Sequence, residues 1–448
     1  MKADRRITLI FVSFGLATLI AGGAHAQVPD YGATVAGCDR DEAVDCYNLG
    51  VMYVTGQAVG SKNLPAARER FAKACRLGYQ QACGAAGNMM VRGDGGPVDK
   101  AGARPLLEKG CAAPEKLSCS VFGALAAEGV GGPKDIPAAA RAMTYACDQG
   151  VFVSCHDMGL LIIKKELGEP DWIKARGLMK KACEGGYLQA CATAGQLCVA
   201  SDIPDRDFAT GRALLVKGCE FGDAVGCRFL GVMMRDALGG AGDNPGAVAA
   251  FRKACDGNDL DACDHLGRAL DQGIAGEVDR PGALKAFDKA CTGGFIEACL
   301  PLASLLAENG DSKSVARAVE LREKVCDTGV FDACYEAALL LREQKKDQKA
   351  QKRARPLLQK ACEKAVGPAC FHLAVAFENG EGGAKDPVAA RKFATTGCKA
   401  GNGDSCYLVA GYWHQGVGGE VDENIAVEFY DSACMNGIDE ACPYDEYW

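Results

Sequence analysis

The side chains best suited to chemistry in this 448-residue sequence are its 25 cysteines. A thiolate can attack an electrophile, ligate a soft metal ion or oxidise to a disulfide, and spacing separates these uses. Twenty-four of the cysteines fall into twelve pairs of the form Cys-x7-Cys. They are Cys38 and Cys46, Cys75 and Cys83, Cys111 and Cys119, Cys147 and Cys155, Cys183 and Cys191, Cys219 and Cys227, Cys255 and Cys263, Cys291 and Cys299, Cys326 and Cys334, Cys362 and Cys370, Cys398 and Cys406, and Cys434 and Cys442. One local pair supplies only two ligands, and no repeated histidine accompanies it, so a disulfide is the first reading of each pair and a metal site the rival. Cys198 is left over. It lies seven residues after Cys191, where other pairs are followed by Met, Ile, Leu, Phe or Trp. A small buried hydrophobe is therefore expected there rather than a reactive nucleophile.

Other chemistry is sparse. His156, His265, His372 and His414 stand in different segments, without His-x-His or His-Glu-x-x-His. No Ser-x-x-Lys, Gly-x-Ser-x-Gly, phosphate loop or dinucleotide fingerprint occurs. The reading is no catalytic residue, no metal and no cofactor, with the Gly-Gly pairs as loop punctuation.

The elements that carry the cysteines follow from their period. Successive pairs begin 35 to 37 residues apart, mostly 36, which marks a repeat array rather than the three domains that length alone suggests. Four residues after each second cysteine stands Gly or Ala, from Gly50 to Ala410, and a bulky apolar residue often follows three later. Those offsets define one face of a helix, called A. A second helix, B, ends at the next first cysteine and has Ala or Gly eight residues before it. Asn63, Asp99, Asp135, Asp171, Asp207, Asp243, Asp279, Ser314, Asp386 and Asp422 stand twelve residues before that cysteine as caps, with Ala350 the exception. Glycines such as Gly78 and Gly150, three after the first cysteine, end helix B. Pro105 and Pro356 fall inside helix B and are expected to kink or shorten it. Each pair then joins helix B to the next helix A across a turn of about five residues. Closing that nine-residue loop stabilises by roughly 2.5 kcal/mol on the chain-entropy account.

Lys2, Arg5 and Arg6, an apolar run from Ile7 to about Ala21, and Ala24-His25-Ala26 read as a cleaved secretory leader at residues 1–26. The rival is an uncleaved anchor, for which the run is short. Cleavage takes the net charge from −8 to −10. So acidic a chain disfavours nucleic acid as a partner, and the cysteine content suits an oxidising compartment, periplasmic or extracellular. The rest reads as one domain, 27–442, followed by an aromatic and acidic tail, 443–448, that caps the last helix pair or is read by a partner. Eight Lys and Arg between Arg342 and Lys360 form a basic island, either a solvated helix face or a dock for an acidic partner.

Leu-Gly-Val-Met-Tyr at 49–53, Lys-Ala-Cys-Arg-Leu-Gly-Tyr at 73–79 and Lys-Asp-Pro-Val-Ala-Ala at 385–390 resemble the Sel-one-like repeat (SLR) family, a relative of the tetratricopeptide repeats. The Cys-x7-Cys pairs are similar to its cysteine-rich bacterial subset, known as β-lactamase-like or penicillin-binding. Segments 307–312 and 342–355 depart from the Gly-rich loop of the other units. The resemblance implies an all-α, right-handed α/α superhelical solenoid of about twelve 36-residue helix-turn-helix repeats, with one disulfide each. It also implies a monomeric, non-enzymatic scaffold without a transmembrane span after cleavage. Its concave face, lined by helices A, would bind a protein or peptide in envelope assembly, signalling or host contact. The alternative it implies is a β-lactam-binding protein or slow β-lactamase, for which the Ser-x-x-Lys nucleophile is missing.

Overall fold

A computed structural model describes residues 30–57, 60–344 and 347–442; the expected leader at 1–26, Lys345, Lys346 and the tail at 443–448 lie outside the described residues. The chain divides into two compact units, up to Ala250 and from Phe251, with the boundary inside the helix Asn244–Asp256. Among the described residues every regular element is helical, and no helix is long and apolar enough to cross a membrane.

The first unit alternates helices B (Tyr31–Asp39, Leu64–Arg76, Lys100–Ala112, Ile136–Asp148, Trp172–Glu184, Phe208–Phe221) with helices A (Ala43–Thr55, Gln80–Arg92, Lys116–Glu128, Phe152–Ile163, Gln189–Val199, Ala224–Arg235). The second contains helices A at Leu260–Asp271, Cys299–Glu308, Phe331–Glu343, Gly367–Asn379 and Gly403–Gln415. Its helices B are Arg280–Thr292, Ser312–Cys326, Gln348–Cys362, Pro387–Lys399 and Glu423–Met435. Each unit is thus a solenoid-like stack of helix hairpins, with one disulfide per repeat. The twelve bridges hold Cα atoms 4.4 to 5.0 Å apart, within ordinary disulfide reach.

Within a hairpin the small residue of helix A receives the large residue that helix B places four before its cysteine. A Cβ on Gly87 would come 2.7 Å from Leu107 Cγ and 3.1 Å from the Ala103 carbonyl oxygen. Gly50 meets Phe71 in the same way, Gly123 meets Met143, Gly195 meets Leu215 and Gly267 meets Phe287. All five large side chains are buried. Helix B ends in a left-handed residue three after its cysteine, such as Gly78 with φ +96°, where Asp41 and Ala365 also adopt positive φ without being glycine.

Four local expectations need correction. Asp311, not Ser314, caps its helix, and Asp347 supplies the cap that Ala350 could not, because those two helices B run to 15 residues and begin earlier. The helices through Pro105 and Pro356 are not shortened. Each proline and the residue four before it, Ala101 or Lys352, is exposed, so water can reach the carbonyl that loses its partner. Helix A begins about three residues before its second cysteine, and the connecting turn is three residues, as in 77–79. The glycine pairs are contacts as well as punctuation. Gly95, Gly131, Gly239, Gly382 and Gly418 hold φ between 70° and 74°, and a Cβ there would overlap backbone at the start of helix B of the preceding repeat.

That approach is locked by an arginine seven before the cysteine of the preceding helix B. Arg68 donates to the Pro97 carbonyl at 2.9 Å and Arg212 to Ala241 at 2.8 Å. Arg355 reaches the carbonyls of Ala376, Glu381 and Ala384, and Arg391 those of Tyr412, Val417 and Glu420. Where the arginine is absent, at Tyr31, Ala140, Val248, Leu284 and Val319, the following A–B segment has no glycine pair. A lysine two before the cysteine makes a second link. Lys73 donates to the Cys38 carbonyl at 2.7 Å and Lys289 to that of Cys255 at 2.6 Å, each capping the negative end of the previous helix B. Tyr145 replaces it with a hydroxyl on the Pro114 carbonyl.

Thiol titration of the oxidised chain in denaturant, without reductant, is expected to find one reactive group; several would contradict the pairing. Gly87→Val is expected to destabilise by about 1–3 kcal/mol in urea unfolding through overpacking. Gly177→Ala, where a Cβ meets nothing within 4 Å, is expected to be neutral or slightly stabilising.

Candidate functional site

The residues singled out for chemistry are not brought together. Cys198 is 2% exposed, and burial raises its thiol pKa, which keeps it protonated and a poor nucleophile. His156 pairs with Asp157 at 3.0 Å and packs on Tyr187. His265 stacks on Phe251, and His414 pairs with Glu423 at 2.8 Å. No group of three His, Cys, Asp or Glu among the described residues could hold a metal ion.

A different cluster stands out in the second unit, in the repeats whose loops depart from the pattern. Arg322 occupies the position, four before the cysteine, that holds Phe71, Leu107, Met143, Met179, Leu215, Phe251, Phe287, Leu358 or Ala394 in other repeats, with Thr34 in the first and Tyr430 in the last. It is 8% exposed. Its Nε donates to Glu336 Oε2 at 2.9 Å and its Nη2 to the Ser304 hydroxyl at 3.3 Å, while Nη1 is buried with no acceptor. The side chain thus crosses the hairpin core and links helix Cys299–Glu308 to helix Phe331–Glu343, where Ser304 and Glu336 are exposed. Replacing a buried ion pair by an apolar residue is commonly neutral or stabilising, by about 1–4 kcal/mol. Stability alone therefore does not account for this arginine.

One repeat further on, Arg342 joins two repeats. Its Nη1 lies 2.6 Å from His372 Nδ1 and its Nη2 donates to Glu381 Oε2 at 2.8 Å. Tyr335 stacks on the imidazole at 5.7 Å and Phe371 meets it edge-on. Burial, then the Arg342 charge, lowers the His372 pKa, against smaller opposing effects of Asp404 and Glu381. The Nδ1 contact with a guanidinium requires a neutral ring accepting at that atom.

The basic island is mostly committed to such internal contacts. Arg353 binds Glu323 through both carboxylate oxygens, Lys360 binds Asp327 at 2.7 Å, and Arg342 and Arg355 are held as described. Among the described residues of the island, Lys349 and Lys352 are exposed without a described side-chain partner. Sequence reading missed Arg322 and the locking arginines, although both are visible once the repeats are aligned on their cysteines. Arg322 breaks an apolar column, and the arginines recur seven residues before the cysteine.

Because the folded pKa of His372 lies below the ordinary 6.5, the unfolded chain binds this proton first as pH falls. The stability tied to the neutral ring is present above 6.5 and is lost as pH falls through the folded value. An NMR titration is expected to place the His372 midpoint below 6.5, and His372→Gln to flatten the loss of melting temperature between pH 7 and 5.

The Sel1 repeat family model matches residues 43–79, 154–187, 367–402 and 403–438. A protective antigen present in uropathogenic Escherichia coli strains, displaying an SLR fold, is 23% identical with a TM-score of 0.67, over 92% of this chain and 88% of that one. A Sel1 repeat protein from Oxalobacter formigenes is 17% identical with a TM-score of 0.42, over 55% of this chain and 96% of that one. No curated protein matches. With matched Sel1 repeats in both units, and disulfide-joined helices recurring between them at the same period, the chain carries Sel1 repeats in a cysteine-rich array whose fold is that of the SLR structure.

Proposed function

We propose that this protein is an exported, monomeric scaffold that binds a protein or peptide on the concave face lined by its helices A, in the bacterial periplasm or beyond. The observation that carries the reading is the division of labour among side chains. Helices B spend their recurring arginines and lysines on neighbouring repeats, and the paired cysteines are consumed in bridges. What remains is a rigid row of helix-A side chains, and stacked repeats of this kind use such extended surfaces for binding. Twelve bridges suit an oxidising compartment, in keeping with the leader read at 1–26. Sel1 repeats serve widely as protein-interaction scaffolds.

Crosslinking in the periplasm of the native host, followed by partner identification, is expected to recover a defined protein partner. The oxidised chain is expected to leave a chromogenic cephalosporin intact; turnover abolished by a single substitution would overturn the scaffold reading.

A further inference from the structure

We propose that Arg322 is the recognition point for a carboxylate carried by the bound protein segment. The assignment rests on the scaffold reading and supplies its partner chemistry. A guanidinium offers two edges, each able to hold a carboxylate through two parallel hydrogen bonds. In Arg322 the side edge is in use, Nε by Glu336 and Nη2 by Ser304. The end edge has a donor, Nη1, with no acceptor among the described residues, on a side chain that is 91% buried, its relative exposure being 9%. An unpaired donor on a desolvated cation is costly, and an incoming carboxylate removes that cost.

Ser304 and Glu336, the two side chains that touch the guanidinium, are exposed on helices A, the face assigned to partner binding. At 3.3 Å the Ser304 contact is long and easily surrendered, after which its hydroxyl can turn to donate to the second oxygen of the carboxylate. Glu336 stays on Nε, so the cation lies between two carboxylates, one internal and one from the partner. Leucine fits the same position in the next repeat, where Leu358 is fully buried. The hairpin thus has an apolar solution that is not used at 322.

The test uses the full-length oxidised chain and its Arg322→Leu and Arg322→Lys variants. Two labelled probes are titrated by fluorescence anisotropy: an amidated peptide carrying four glutamates, and a neutral peptide with a free C-terminal carboxylate. The amidated neutral peptide is the control. The expected result is that at least one carboxylate probe binds and the control does not. Arg322→Leu weakens that binding at least tenfold with an unchanged or higher melting temperature, and Arg322→Lys falls between. Binding of the glutamate peptide alone assigns the carboxylate to side chains; binding of the free-acid peptide alone assigns it to a chain end. If Arg322→Leu folds poorly, Arg322→Lys and the shift of the Arg322 Nε–Hε resonance on titration decide. Binding by Arg322→Leu within twofold of the native chain, or no response to either carboxylate probe, overturns the assignment. A host partner crosslinked equally by both chains would also overturn it while leaving the scaffold reading intact. Capture of no partner by either chain would remove the scaffold reading and leave the titration to judge the arginine.

Discussion

At Gly50, Gly87, Gly123, Gly195 and Gly267 helix A has no room for a methyl group, because a phenylalanine, leucine or methionine of helix B fills the space over its backbone. This contact sets most of what surrounds it. Helix B, packed in this way on one helix A, turns through three residues into the next, and a bridge closes that turn. The packing also leaves each hairpin with exposed flanks that only another hairpin can cover. The disulfide ties each pair to the next, and the Asp or Asn cap with the loop before it shapes the turn inside the pair. A hairpin of this size buries too little to stand alone, so the bridge and the neighbours are both required.

The links between neighbours use polar chemistry rather than more apolar area. Arg355 and Arg391 each saturate three backbone carbonyls and lie over an aromatic ring, Phe377 and Trp413. Each thereby supplies donors to carbonyls of the A–B loop and of the helix end before it. The left-handed glycine of that loop permits the backbone of one repeat to touch the helix start of the last. The arginine bond and the glycine pair occur together for Arg68 with Gly95-Gly96, Arg212 with Gly239-Gly240, Arg355 with Gly382-Gly383 and Arg391 with Gly418-Gly419; Arg104 lies beside Gly131-Gly132 with its Nη1 unpartnered among the described residues, and Arg176 reaches the carbonyls of Pro204 and Asp205 instead.

Against so regular a background, the repeats around Arg322 and His372 are the exception. Three local rules fail within one stretch: the apolar core residue is an arginine, the glycine pair is missing, and the helices B begin earlier behind Asp311 and Asp347. Departures that add no stability are where function is expected to reside. The network there also shows why a count of charges misleads. A run of lysines and arginines reads as a free basic surface, yet Arg342, Arg353, Arg355 and Lys360 each face a partner contributed by another helix or loop.

The hairpin, its period and its capping were legible in the sequence because they depend on residues close together in the chain. Asp135 caps the helix that starts beside it, and each cysteine meets a partner eight residues away. Contacts between repeats lie about thirty residues apart, as for Arg212 with Ala241, and no local spacing rule announces them. Their partners are backbone carbonyls, which every residue carries and which therefore leave no mark in the residue type. The core role of position 322 was likewise decided by tertiary structure. Its arginine looks like one more charge on helix B until packing places it under Ser304 and Glu336, where burial leaves one guanidinium donor without an acceptor.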